Sequence, residues 1–550
     1  MINSLIRFYA GKATKAWGLI VIMSIAAALS NGLLLAVVND TIKAQSDGTL
    51  SAPHIYSFII LLFVFLLGGY FSMYKTTESV GYMMHNLRIE LSRKFLKSTL
   101  HQIEKYDRGE IYAHFTVDID QLAKTALRLV KTFQATIVLV FCIGYIGWLS
   151  GIGVLFLFCG LLMGVAAYLL QYKKARESQT IARDGEAAFF DTLTDELNGL
   201  KELKLNRKKS DDLFKFQIGL SEHFRFHYTK AELFFYISFL ISQVCLFVIL
   251  GLAIFMPQDW IVTDTTTHFQ LLAALLFAMK PIEEVVDSIG AITRGAVALK
   301  KIETLSSDLE QSYEQASLPG MDCSVNETIS LKNVRMQYRS DRHDEVFDLG
   351  PINLNVKKGD IVFFVGGNGS GKTTLLKILT GLYHADEGEI RVDGRILKRE
   401  DIARFRQNFS AIFTDFHLFK ILFGLDNPDP QITRGYLERF NLDDKTQLDG
   451  NCYSTIALST GQKKRLALTS LLLEDRTFLV FDEFAADQDP EFRSFFYKEL
   501  LPELKKQGKT ILAVTHDDMF FDCCDHLVKL DLGGVTKDEI YKAQRHSPEQ

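Results

Sequence analysis

Gly366, Gly371, Lys372 and Thr373 stand in the stretch "IVFFVGGNGSGKTTLLKILTGL" at the spacing G-x-x-x-x-G-K-[ST]. The chemistry that this spacing serves is the grip of a nucleoside triphosphate. Glycines let backbone N–H groups wrap the phosphates, and the start of the following helix adds the attraction of its dipole. Lys372 would reach the β- and γ-phosphates, and the Thr373 hydroxyl would hold Mg2+. Asn368, Gly369, Ser370 and Thr374 complete the loop and the first helical turn.

Further stretches offer groups that act on a phosphate. "RTFLVFDEF" reads as a buried strand ending in paired carboxylates. Asp482 suits the magnesium shell, and Glu483 is placed to orient or deprotonate an attacking water. Carboxylates at a strand end can also do no more than open a helix. "ILAVTHDD" is a strand closing on His516, which would either touch the γ-phosphate from the far side or serve local structure. Tyr338, in "VRMQYRS", either stacks on adenine or belongs to the core. In "STIALSTGQKKRLALTS", Ser454 to Ser470, polar groups gather ahead of a basic, apolar helix. Such a gathering usually means that an anion is held there.

These groups need elements to place them. From about residue 326 short apolar strands alternate with helices, an α/β pattern running to residue 550. The segment 301–325 is polar, passes through Pro-Gly and reads as a linker. Residues 1–300 differ in kind. Six apolar runs, at about 17–38, 55–73, 132–150, 152–170, 233–256 and 268–290, approach the roughly 20 residues that cross hydrocarbon. Helices of a soluble core rarely stay apolar all round for that length. The first run follows Arg7, Lys12 and Lys15, is too long for a signal-peptide core, and reads as a retained span.

Loop charge sets the orientation. Segments 39–54 and 257–267 hold one basic residue, Lys43, whereas 74–131 and 171–232 are dense in Lys and Arg. Both chain ends and both long loops are therefore expected in the cytoplasm. Apolar spacing in "LRIELSRKFLKSTL" continues the helices past the bilayer as stalks, with short elbows at the loop tips. Composition agrees, since 48% hydrophobic content coexists with 23% charge in 550 residues. A net charge of -5 leaves no electrostatic footprint for nucleic acid. The seven cysteines lack metal-ligand spacing and read as structural thiols.

With these motifs in place, the chain resembles an ABC transporter half-molecule of the exporter type over essentially its whole length. The resemblance implies a multi-pass α-helical membrane domain of six spans fused to an α/β P-loop nucleotide-binding domain, with ATP and Mg2+ as its cofactors. It also implies that Leu458, Ser459, Thr460, Gly461 and Gln462 are the signature motif, normally LSGGQ. In that family the motif caps the γ-phosphate of ATP held by a second copy, so Ser459, Gly461 and Gln462 would act in trans. A homodimer with two interfacial ATP sites follows. Residues 486–489, "ADQD", match the D-loop, with Asp489 at its aspartate.

Two departures stand out. Where the family usually has a glutamine that contacts magnesium and senses the membrane domain, "FSAIFTDFHLF" has Thr414. Either Thr414 acts through water or Asp415 takes part. Thr460 replaces the first signature glycine. "FTDFHLF", "LSTGQKKRLAL", "DEFAADQDPEFRSFFYKELLPELK" and "THDD" together resemble the bacterial cyclic-peptide exporter subfamily, whose members move lipopeptides, peptide siderophore precursors or lasso peptides.

The transport half offers one charged stretch, "FAMKPIEEVVD", about twelve residues into the sixth run. Pro281 should kink the helix, and Glu283 and Glu284 lie within helical reach of Lys280. Either these residues form a charged patch in the cargo cavity, or Lys280 snorkels to the inner face with an intrahelical ion pair. Gln134, Ser242 and Gln243 are further candidates for cavity contact. The expected function is ATP-driven export of a cyclic or modified peptide by alternating access of a homodimer. The expected setting is a bacterial inner membrane, with peptide-like cargo and lipids as partners and no nucleic acid. Alternatives are a lipid flippase or multidrug exporter with the same machinery, or a membrane-anchored regulatory ATPase that moves nothing. A peptide-processing exporter is not expected, because no protease domain precedes the first run.

Overall fold

The computed structural model describes residues 2–11, 17–46, 48–255, 265–313, 323–339 and 346–540. The chain divides into two compact units, Met1–Leu91 with Gly109–Leu305, and Ser92–Arg108 with Ser306–Gln550.

The first unit is helical. The predicted apolar runs fall on long helices, α1 (Trp17–Ser46), α2 (Ala52–Lys97), α3 (Ile119–Leu149), α4 (Gly151–Asn198), α5 (Arg207–Phe255) and α6 (Thr265–Gln311). Among the described residues, three segments are long and apolar enough to cross a membrane: Trp17–Gln45, Ala52–Lys97 and Arg108–Leu149. Gly151–Gly160 and Gln243–Phe255 are shorter apolar segments. In α6 the apolar run is diluted by Lys280, Glu283, Glu284 and Asp287. At 1.5 Å per residue, the 46 to 49 residues of α2, α4 and α5 extend roughly 70 Å, more than twice the hydrocarbon thickness.

The buried stripe of α2 changes character along its length. It runs through Gly68, Ser72 and Thr76, then Val80, Met83, Leu87 and Leu91. In lipid no hydrophobic effect presses helices together, so close approach and hydrogen bonds must do so. A Cβ on Gly68 would meet the Met23 carbonyl oxygen at 3.2 Å and Ala27 Cβ at 3.3 Å, so the two helices cross closely here. Ser24 and Ser72 share a hydrogen bond of 2.7 Å, and the Gln134 amide donates to both, at 3.3 and 3.2 Å. One knot thus ties α1, α2 and α3. Asn39 and Gln270 tie α1 to α6 by donating to each other's carbonyls, at 3.1 and 3.0 Å. From Val80 onward the stripe joins an apolar cluster with Ile119, Leu122, Leu299 and Ile302.

The predicted linker starts later than residue 301. Helix α6 continues to Gln311, because Leu299, Ile302, Leu305 and Leu309 keep one side of it buried. Residues 314–322 of the linker lie outside the described residues. The helix also runs on through Pro281.

The second unit is α/β. An antiparallel sheet is ordered β2-β1-β4-β5, with β1 Thr328–Arg339, β2 Val346–Lys357, β4 Glu387–Val392 and β5 Arg395–Ile396. A six-stranded sheet contains β3 (Ile361–Gly366), β6 (Phe409–Ile412), β7 (Phe478–Asp482), β8 (Thr510–Val514), β9 (His526–Asp531) and β10 (Gly534–Ile540). Its order is β10-β9-β3-β8-β7-β6, and only the β10–β9 pairing is antiparallel. Strands β7 and β8 are buried on every residue, as parallel strands covered on both faces require. The carboxyl ends of adjacent parallel strands form the edge where ligands bind in such sheets. Gly366 ends β3, Asp482 ends β7, Thr414 lies two residues past β6 and His516 two past β8.

The first elbow, Leu100–Ile103, belongs to this second unit. Leu100 packs against its apolar core. Glu104 accepts from Lys377 Nζ at 2.9 Å and from the Tyr383 hydroxyl. Lys377 stands five residues after Lys372 on α7 (Lys372–Leu379). The second elbow, Leu200–Leu205 of the first unit, leaves the Leu200 and Leu205 side chains exposed.

Candidate nucleotide site

Strand β3 delivers the glycine loop at the sheet edge. Gly371 sits at φ +97°, and a Cβ there would fall 2.6 Å from Leu349 Cδ1, so the turn into α7 admits only glycine. A Cβ on Gly366 would meet the Leu530 carbonyl oxygen at 2.2 Å. Lys372 is buried, and its ammonium donates to the carbonyls of Gly366 and Gly367 at 2.9 and 2.8 Å. Burial lowers its pKa from 10.5, against the pull of Glu483 and Asp482. Ser370 is buried and its hydroxyl has no partner. Asn368 and Gly369 are exposed at the loop tip, and Thr374 is half-buried in the first turn of α7.

Asp482 is the hub. Thr373 Oγ1 donates to its Oδ2 at 2.9 Å, and Thr414 Oγ1 donates to the same oxygen at 3.0 Å. Burial raises the Asp482 pKa from 3.8, while the two threonine hydroxyls oppose that rise. Its other oxygen, Oδ1, is buried and unpartnered. Thr414 therefore reaches the hub directly. Asp415 makes no hydrogen bond or ion pair among the described residues.

An orphaned carboxylate oxygen, two hydroxyls on its twin oxygen, an orphaned serine and a buried ammonium held only by carbonyls fit a magnesium nucleotide. Thr373 and Asp482 would hold the ion, and Lys372 and Ser370 the phosphates.

Glu483 follows at φ +50°, left-handed backbone that turns its carboxylate out of the strand. The His516 ring Nε2 lies 3.3 Å from Glu483 Oε1, so the predicted pair is brought together. Tyr338 is in β1 opposite Phe347, but its side chain lies outside the described residues.

The predicted anion-binding helix start is α8 (Thr460–Leu473). Ser459 caps it, accepting from the Gln462 N–H at 3.4 Å, while Gln462 Oε1 accepts from the Ser459 N–H at 3.1 Å. Ser459 is exposed. Gly461 abuts the next loop, where a Cβ would meet the Asp487 carbonyl oxygen at 2.9 Å. Asp489 is occupied within its own chain, accepting from the Phe492 N–H at 2.8 Å and pairing with Arg465. The Phe492 bond first, with Arg465 beside it, holds the Asp489 carboxyl below 3.8.

Sequence reasoning missed Lys464. This buried lysine donates to the Glu483 carbonyl at 2.9 Å and pairs with Asp487 at 2.8 Å. It therefore fixes the backbone on which the carboxylate of Glu483 stands. The available signal was helical spacing. Lys464 shares a buried face with Leu468 and Leu471, although "QKKR" reads as a solvated charge run.

In the helical unit, Lys280 Nζ lies 3.6 Å from Glu283 Oε2, and the Gln243 amide bonds Glu283 Oε1. Lys280, Glu284 and Gln134 line a cavity of about 500 Å³. The Gln134 amide is already engaged by Ser24 and Ser72, and the side chain of Ser242 lies outside the described residues.

Comparison with known proteins accords with this geometry. The profile described as ABC transporter matches residues 349–486, and that described as ABC transporter transmembrane region matches residues 16–279. The chain is 34% identical over 521 residues to ATP-binding protein SyrD of Pseudomonas syringae pv. syringae, covering 92% of this chain and 91% of that one. It is 23% identical over 476 residues to the ATP-dependent lipid A-core flippase of Alkalilimnicola ehrlichii, covering 83% and 79%. Among solved structures, a bacterial Atm1-family ABC exporter with ATP bound shares the fold. That match has a TM-score of 0.77, 16% identity, and covers 98% of this chain and 95% of the other.

Proposed function

This chain belongs to the ABC transporter family as an ATP-hydrolysing exporter half, and from that premise we propose that a homodimer of it exports a cyclic or modified peptide across a bacterial inner membrane. The observation that carries the reading is the convergence of Lys372, Thr373, Asp482 and Glu483 at one sheet edge, in a chain whose other unit is built of long apolar helices. Peptide cargo is supported by the four subfamily-like stretches in the nucleotide unit. The relative named for lipid A-core transport is the more distant, at 23% identity against 34%.

Magnesium, when bound, would neutralise charge developing on the phosphates. Lys372 would exchange its two loop carbonyls for phosphate oxygens, and the Ser370 hydroxyl would gain an acceptor. Glu483 would take the proton of the attacking water, with His516 orienting its carboxylate. Ser459 and Gly461 would meet the nucleotide held by the second copy. The exposed Leu200 and Leu205 of the second elbow support such a partner. Within one chain, Glu104 holds Lys377 on the helix that begins at Lys372, so a shift of α7 on nucleotide binding is felt at the first elbow. Both termini would remain in the cytoplasm.

The test is ATP-dependent uptake into inside-out vesicles, with cyclic peptides and lipopeptides run beside a lipid and a dye. Peptide accumulation that Glu483→Gln abolishes is expected, with ATP binding retained in the variant. Accumulation of lipid or dye alone would overturn the peptide reading, and ATP hydrolysis without any movement would favour a regulatory ATPase.

A further inference from the structure

Two cavities of the helical unit share Lys131. One, of about 500 Å³, is lined by the apolar Ala27, Phe65 and Leu276 together with Lys131, Lys280 and Glu284. The other, of about 400 Å³, is lined by Lys124, Arg128, Lys131 and Arg294. Lys124, Arg128 and Lys131 fall at i, i+4 and i+7, one face of α3 over about 10 Å. On α6, Lys280 and Arg294 are fourteen residues apart, close to whole turns and about 21 Å along the axis. Two helices therefore line the same trough with cations.

These charges are not balanced by their neighbours. Lys124 pairs with Asp120 at 2.7 Å, and Lys280 lies 3.6 Å from Glu283. Arg128, Lys131 and Arg294 have no ion-pair partner among the described residues, and Glu284 is the one carboxylate lining either cavity. The preference of Lys and Arg for the inner boundary explains their sign but not their shared direction. The exposed apolar side chains Phe133 and Val140 lie about 180–200° around α3 from Lys131, at 100° per residue. The cations thus face away from the exposed apolar side of α3 and into the trough, where charges of one sign focus their field on an incoming anion.

We propose that the trough selects an anionic amphiphile, a peptide whose carboxylates meet Arg128, Lys131 and Arg294 while its apolar part lies against Ala27, Phe65 and Leu276. This rests on the peptide-export reading and narrows it to acidic cargo. Like charges spaced along a trough repel one another, and an anion entering between them relieves that repulsion.

The experiment compares two N-acylated cyclic peptides of one ring, carrying two Asp or two Asn, in the vesicle assay on the full-length protein. The acidic peptide should show a KM about tenfold lower in the parent, the scale of two partly exposed ion pairs. Arg128→Gln with Lys131→Gln should bring that ratio close to one by raising the KM of the acidic peptide, the Asn peptide serving as the folding control. Lys131→Glu should shift preference toward a ring carrying two Lys. Equal KM values for both peptides in the parent would overturn this inference and leave peptide export standing. If neither peptide moves and fluorescent phosphatidylglycerol does, both readings fall.

Discussion

The nucleotide site and the transport trough are built by opposite means. At the nucleotide site, chemistry is contiguous in sequence: six residues from Gly366 to Gly371 make a loop, and adjacent parallel strands bring Asp482, Thr414 and His516 to it. The trough takes a few residues each from α1, α2, α3 and α6, more than 250 positions apart at the extremes. The lesson concerns tolerance. Lys372 and Asp482 at the nucleotide site are buried, with few partners to share their roles, whereas the trough cations are half-buried or exposed and stand several to a surface. Single substitutions should cost most where partners are few.

Lys372→Ala tests the strong end. Removing the buried ammonium of the glycine loop should lower ATP hydrolysis at least about 100-fold, read as phosphate release from purified protein. Hydrolysis near the parental rate would break the comparison at its foundation. Lys464→Met comes next. Losing a buried donor leaves the Glu483 carbonyl without its partner, at about 1–3 kcal/mol, while the half-exposed Asp487 turns to water. The melting temperature should fall by several degrees and kcat by about tenfold, with the ATP KM little changed. Lys463→Met, one exposed position away, should do neither.

Thr414→Val is milder and depends on pH. Its hydroxyl opposes the burial that raises the Asp482 pKa, so the variant should push that pKa further up. A proton then competes more strongly with magnesium, and the Mg2+ needed for half-maximal hydrolysis should rise about three- to fivefold. The rise should be larger at pH 6 than at pH 8, because the competing proton is bound at the lower pH. An equal rise at both would show that Thr414 acts on the ion and not through the Asp482 proton, and no rise at either would remove Thr414 from the site. Lys280→Gln should be smallest, about a twofold change in peptide KM, since its ion pair is exposed and other cations share the surface. A tenfold change would give the trough a single anchor.

This contrast also governs what the sequence made legible. Loop, strand-end carboxylates and helix cap could be read because each is local. Thr414 was located by position, but its partner was not, since Asp482 lies 68 residues away and only strand order makes them neighbours. Lys464 was hidden inside a basic run. The end of α6 was misread because polar residues of "IETLSSDLEQ" mask a buried side that carries the helix to Gln311. Lys280 was singled out by its place in an apolar run, whereas Lys124, Arg128 and Lys131 looked like ordinary cytoplasmic charge until α3 and α6 were seen to line one trough.

Helix α2 carries its own boundary marker. Its buried stripe is small or polar through Thr76 and aliphatic from Val80 onward, so the force that seats it changes within a single turn. Urea weakens aliphatic burial wherever water is the competing solvent and has little purchase on hydrogen bonds sealed in hydrocarbon. The Val80–Leu91 end of α2 should therefore fray in urea before the Gly68–Thr76 end does, with the seam between Thr76 and Val80.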